Sequence, residues 1–445
     1  MTQVLFSFDT EDYVNIEAEE AVLRLAQTLS DEDIQGCFCV VGEVAAAWRQ
    51  RNSRAVLDAL RAHEVDAHTW RHSWHPNIVE YGEDSDWDGS LARFLREERY
   101  AFDLVMDVCD RERIWAFVKP GNSLSAQGIY GYTLLGAPIF GDSFVAANAG
   151  RGTWYCNALN LNYDFSLERL QDYGMTPFEE RFDEWATWER LVLYAHPCKL
   201  VLTEFWDAQN VFHHNPSTWG DWVPSPRRTR EEVERFFVLF RELIQRLKQH
   251  GGFEFTTYEP VWREYQANIH RQLPQEELLP LLQGAARELT WQTTADGTRF
   301  TPAELFAAAV HVLAGRPDPF PAWGVMGPVD DPSAQSDVPA QGALTLAAQD
   351  VQRAAATLEP VVYVPAAIQV GRATLGPGDL LRAMTQVLTG AQEIILEQGP
   401  QMPKAAERPD LAHHRTSGQW CHPPEWTSEI VDSRLRWQAW TLRPA

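Results

Sequence analysis

Over roughly its first 265 residues the chain alternates short apolar runs with stretches of helical periodicity, and this alternation constrains the fold more than any other feature. Val4-Leu-Phe-Ser-Phe8 reads as a strand, Ala21, Leu25 and Leu29 then recur at helical spacing, and Gly36 leads into the apolar run Cys37-Phe-Cys-Val-Val41. Continuous apolar runs of this length suit strands covered by helices on both faces. Val56, Leu57 and Leu60 mark another helix and Val65 to Ala67 another strand, with further strands at Ile114 to Val118, Pro138 to Phe140 and Leu191 to Ala195. A long amphipathic helix follows, with Val233, Phe236, Phe237, Phe240, Leu243, Ile244 and Leu247 on one stripe. Gly251-Gly252 stop it before a last strand, Phe253-Glu-Phe-Thr-Thr257. Repeated βα units predict an α/β fold with a mainly parallel sheet or barrel.

In such folds the reactive groups gather at the carboxyl ends of strands. Asp9 and Asp12 follow the first strand, His68 and His72 the third, and His196 a late one. The segment His68-Thr-Trp-Arg-His-Ser-Trp-His-Pro76 packs three histidines into nine positions. Neutral imidazole is the commonest protein ligand for zinc-like metals, and a catalytic site needs about three protein ligands with one position open. His68 and His72 with a first-strand carboxylate supply such a set. His75 then opens the loop that leaves the site and shapes it.

Charge narrows the partners. With 38 Lys plus Arg against 62 Asp plus Glu, the net charge is −24, which repels phosphate backbones and anionic lipid surfaces. Neither nucleic acid nor membrane insertion is expected, since no apolar run is long enough to cross a bilayer. The six cysteines show no disulfide or zinc-ribbon spacing, and Met1 runs almost directly into a strand without a signal-like segment. A reduced, cytoplasmic protein is the simplest expectation.

From about residue 270 the composition shifts to helical patterns and Pro/Gly/Ala-rich stretches, so two domains are expected, 1–268 and 269–445, the second mostly helical. A weak repeat spans about 290–330 and 365–403. Within it Phe300-Thr-Pro-Ala-Glu-Leu to Gly315 lines up with Leu375-Gly-Pro-Gly-Asp-Leu to Gly390. Each copy starts a helix with proline in the first turn and ends it at glycine.

Several motifs, in order, make the N-terminal part similar to the polysaccharide deacetylase family, the NodB-homology fold of carbohydrate esterase family 4. Phe8-Asp-Thr-Glu-Asp-Tyr13 resembles the family's acidic first motif, and His68-Thr-Trp-Arg-His72 matches its His-(Ser/Thr)-x-x-His motif in full. Leu193-Tyr-Ala-His-Pro197 is similar to its late His motif, and Phe253 to Tyr258 to its closing strand. The resemblance implies a distorted (β/α)7-type barrel and a metal-dependent hydrolase that removes an N-acetyl, less often O-acetyl, group from an amino-sugar-containing substrate. Zinc is the expected ion, with cobalt or nickel as alternatives.

The family's division of labour implies Asp9 as general base, Asp12, His68 and His72 as ligands, and His196 as general acid. Strand alternation puts positions three apart on opposite faces, so the chain must turn after Asp9 for both aspartates to reach one ion. The swapped assignment of the two stays open. Where the family carries Arg-x-Pro, this chain reads Phe117-Val-Lys-Pro-Gly-Asn-Ser123, and Lys119 cannot reproduce bidentate guanidinium geometry. Lys119, Pro120, Asp142, Trp206 and His75 are expected at the substrate side, and the tryptophans of the stretch from Glu204 to Trp222 either stack on sugar rings or pack the loop. Two other readings stand beside this one: an allantoinase-like cyclic amidase on the same fold, and a non-catalytic glycan-binding protein.

Overall fold

The computed structural model describes the chain except residues 85, 122, 143–147, 213–220, 270, 317–318, 323, 331–335, 404–420 and 423–427. It divides into two compact units that are not contiguous in sequence. One comprises Met1–Gly152, Asn160–Glu264 and Arg415–Ser428; the other comprises Thr153–Leu159, Tyr265–His414 and Glu429–Ala445. The main break falls after Glu264, and residues 153–159 belong with the second unit.

The first unit is built on β1 (Thr2–Thr10), α1 (Glu17–Asp31), β2 (Cys37–Val40), α2 (Gly42–Arg51), α3 (Arg54–Leu60), β3 (Glu64–Ala67), α4 (Trp87–Val108), β4 (Ala116–Val118), α5 (Ala126–Leu135) and β5 (Ile139–Gly141). The strands run in the order β5-β4-β3-β2-β1, then Arg190–Ala195 and Phe165–Ser166, with Phe253–Phe255 also pairing β1. Each of these pairings is parallel. This is the mainly parallel α/β sheet that the alternating sequence predicts, in the distorted, barrel-like form that the family resemblance implies. The 22-residue helix α4, capped by the Asp86 side chain on Gly89 N, is the main element that the apolar spacing above does not mark.

Register decides where the chemistry goes. Phe8 of β1 stands opposite Ala195, so Asp9 and His196 leave neighbouring strands side by side. Thr10 stands opposite Val40, and Val40 opposite Ala67, which delivers His68 at the same edge. Beneath that edge the helix Arg230–His250 buries Phe236, Phe237, Phe240, Leu243, Ile244 and Leu247. Each such side chain contributes roughly 2 kcal/mol on burial. Phe240 meets Phe6 of β1 edge-on at 5.4 Å. A Thr229/Glu232 capping box starts the helix, and Gly251 at φ 68° ends it.

The second unit carries an internal repeat at the level of topology. Strand Arg271–Leu273, helix Gln275–Glu288, hairpin Gln292–Thr293/Arg299–Phe300, helix Pro302–Leu313 and strand Phe320–Ala322 form one copy. Leu344–Ala347, Ala348–Thr357, the hairpin Ile368–Val370/Ala373–Leu375, Pro377–Leu388 and Glu393–Leu396 form the other. In each copy the first and last strands pair antiparallel. The two share one core, in which Phe306, Val310, Leu380 and Met384 are all buried. The second unit is thus helical with short hairpins, and the aligned 300–315 and 375–390 segments are its equivalent helices. Among the described residues no helix is long and apolar enough to cross a membrane.

Candidate metal centre

Asp9 is the last but one residue of β1, and alternation directs residues two apart to the same face. Glu11, not Asp12, accordingly shares Asp9's side of the sheet edge. Its Oε2 lies 2.8 Å from His72 Nε2 and 3.6 Å from His68 Nε2. One donor atom from each of Glu11, His68 and His72 falls within 4.8 Å of the others, and all three residues are buried. Asp12, expected as a ligand, is not a member of this set. Its Oδ1 accepts from the Val14 and Asn15 amides at 2.9 and 2.8 Å, and its Oδ2 from Asn15 Nδ2 at 2.8 Å. Those three bonds turn Asp12 into the brace of the bend after β1.

Each histidine is oriented from behind. His68 Nδ1 faces the Val118 carbonyl at 3.0 Å; a carbonyl only accepts, so Nδ1 carries the proton and Nε2 presents a lone pair. That Nε2 is buried and makes no hydrogen bond. His72 Nδ1 lies 3.5 Å from Asp207 Oδ2, and the Cys198 thiol donates to Glu11 Oε1 at 3.8 Å. Ligand imidazoles held from behind by a carbonyl and a carboxylate match the usual surroundings of a metal site. Two imidazoles and a carboxylate, with an unsatisfied buried nitrogen among them, fit a zinc-like divalent ion.

The electrostatics agree. Burial opposes the charge on Glu11, but His72, His196 and His68 hold its carboxyl well below the usual range. Burial disfavours the His72 imidazolium, yet Glu11 and Asp207 raise it to about 9. Asp12, by contrast, is pushed up by burial to about 7 despite its hydrogen bonds.

Beside this set stands the Asp9–His196 pair. Asp9 Oδ2 lies 3.6 Å from His196 Nε2, and the Tyr163 hydroxyl donates to Asp9 Oδ1 at 2.7 Å. Burial raises Asp9 above the ordinary aspartate value, with His68 and His196 pulling the other way. Glu168 Oε1 takes both the His196 amide, at 2.9 Å, and the ring Nδ1, at 2.6 Å. Burial disfavours the imidazolium, yet Glu168, Glu11 and Asp9 raise His196 to about 10.

The remaining expected residues fall elsewhere. Lys119 is buried and pairs with Asp142 at 2.6 Å, and also donates to the Gly121 carbonyl. It does not bond Asp9; Tyr163 fills that place. Pro120 is buried, and its carbonyl accepts from Ser123 N at 2.9 Å. Trp206 is fully buried, with ring centroids 4.6 Å from Tyr13, 5.0 Å from Trp222 and 6.1 Å from His72. It stands as a buried wall behind the site. His75 turns to Glu80 and Cys421. His213, His214 and Trp219 lie outside the described residues.

No protein-family model and no curated protein matches the chain. Solved structures do. A Xyl-CE4 domain of a multidomain xylanase from the hindgut metagenome of Trinervitermes trinervoides aligns over 60% of this chain and 91% of its own, at 10% identity and a TM-score of 0.33. A family 4 carbohydrate esterase from Bacillus anthracis aligns over 59% and 83%, at 12% identity and 0.31. A CE4 family pseudoenzyme from the same organism aligns over 57% of this chain, at 11% identity and 0.33, and this chain spans 63% of its length. All three are carbohydrate esterase family 4 proteins. At these identities and TM-scores nothing about the site is taken from them, and its chemistry rests on this chain's own residues.

Proposed function

We propose that the protein is a hydrolase of acetylated amino sugars, cleaving an N-acetyl or O-acetyl group, with Glu11, His68 and His72 as ligands of a divalent ion, zinc in the first instance. The observation that carries this reading is the convergence, at one sheet edge, of a His-His-Glu donor set with an Asp9–His196 pair backed by Tyr163 and Glu168.

When bound, such an ion polarises an acyl oxygen and lowers the pKa of water. The chain's own groups supply the rest. Asp9, held by the Tyr163 hydroxyl, accepts the proton that the attacking water loses. His196 is protonated at neutral pH because three carboxylates favour its charge, and Glu168 fixes its Nδ1 so that Nε2 faces the reacting centre. It donates to the departing amine or alcohol oxygen. An acid and a base held apart by their surroundings are what such a hydrolysis requires.

The test is acetate release from a panel of N- and O-acetylated sugars by zinc-loaded protein, with Asp9→Asn and His196→Asn alongside. Release by the wild type that falls at least a hundredfold in either variant supports the reading. No release from any member of the panel, or equal release by the variants, defeats it.

A further inference from the structure

A second group of ligating side chains sits where the loop after His72 meets residues 421 and 422, in the same unit. His75 Nδ1 is 3.0 Å from both carboxylate oxygens of Glu80, and its Nε2 is 3.0 Å from the Cys421 carbonyl. The rings of His75 and His422 lie 4.7 Å apart, centroid to centroid, at 68°. Asn77 braces the group from below. Its side-chain amide donates to His422 Nε2 at 3.2 Å and to Cys421 Sγ at 3.1 Å, and its backbone N–H donates to Glu80 Oε2 at 2.6 Å.

We propose that His75, Glu80 and His422 form a second divalent-metal site, distinct from the Glu11/His68/His72 set. One donor atom from each lies within 4.8 Å of the other two, and two imidazoles with one carboxylate make a donor set suited to zinc. The 3.0 Å between His75 Nδ1 and the Glu80 carboxylate suits two ligands each about 2.0–2.2 Å from one ion. The Asn77 amide N–H points at His422 Nε2, so that nitrogen is unprotonated, and an ion ligated there would replace this hydrogen bond. The side chains of His75 and Glu80 are 41% and 23% exposed, so water can complete the coordination. The ion would displace the proton between His75 and Glu80 and pin the 421–422 turn to the loop that follows His72.

The experiment is zinc content of the full chain by mass spectrometry, with a zinc titration of the wild type against a chromophoric chelator. Two equivalents per chain are expected, falling to one in His75→Ala/His422→Ala and to a different one in Glu11→Gln/His68→Ala/His72→Ala. His75→Gln, which still donates to the Cys421 carbonyl, checks that lost zinc does not reflect lost folding. A wild-type zinc content, whether one equivalent or two, that is unchanged in His75→Ala/His422→Ala overturns the proposal. Loss in that variant alone, with none in the Glu11 set, upholds it while defeating the first centre.

Discussion

The Tyr163 hydroxyl donates to Asp9 Oδ1 at 2.7 Å, the contact that keeps a buried carboxylate usable as a base. Tyr163→Phe leaves that oxygen without its donor, a loss of about 1–3 kcal/mol. Tyr163 is one of the groups that lower the Asp9 pKa against burial, so the variant raises it. We expect kcat for acetyl release to fall roughly 10- to 100-fold and the acid limb of the kcat/KM profile to move to higher pH. An unmoved limb contradicts the assignment of Asp9 as base.

Glu168 governs the other limb. It is the largest of the influences that raise His196 to about 10, so Glu168→Gln lowers the imidazole pKa. The alkaline limb of the rate profile, where His196 loses its proton, then shifts to lower pH. Activity measured from pH 6 to 10 in both proteins decides this.

Asp12 is expected to brace the bend after β1 and not to hold the ion. Replacing it with alanine strips three hydrogen bonds from the bend after β1 and destabilises the fold by about 1–3 kcal/mol, read as a lower urea midpoint. Zinc content stays at the wild-type value. Loss of zinc without loss of stability would return Asp12 to the ligand set.

Glu98 in α4 is a buried carboxyl that burial pushes up to about 7 even though Tyr132 donates to it at 2.6 Å. Its folded value lies above the unfolded value of 4.5, so the protonated form belongs to the folded state. Its contribution to stability is full below pH 4.5 and is lost as pH rises through about 7, by roughly 3 kcal/mol. Denaturant unfolding of Glu98→Gln should show a correspondingly smaller loss of stability between pH 5 and 8 than the wild type. An identical pH dependence would remove Glu98 from the account.

Most of the parallel sheet was legible because buried strands need continuous apolar runs, and strand ends told where His68, His72 and His196 emerge. Glu11 was legible in principle: it stands two residues from Asp9, and alternation alone puts both on one face. The family resemblance pointed instead to Asp12, whose short side chain reaches its own backbone first. Asp207 lay beside Trp206 in an aromatic stretch that reads as a loop. Tyr163 and Glu168 carried no local signal, because their places depend on Phe165–Ser166 pairing with Arg190–Ala195, a two-residue strand too short to show periodicity. The grouping of 153–159 with the second unit was invisible because it depends on long-range packing.

The most direct measurement is anomalous diffraction at the zinc edge from crystals of zinc-loaded protein. The account predicts a peak about 2.0–2.2 Å from Glu11 Oε2, His68 Nε2 and His72 Nε2, with Asp12 still bonded to the Val14 and Asn15 amides. A peak ligated by Asp12 in place of Glu11, or none beside His68 and His72, would contradict it.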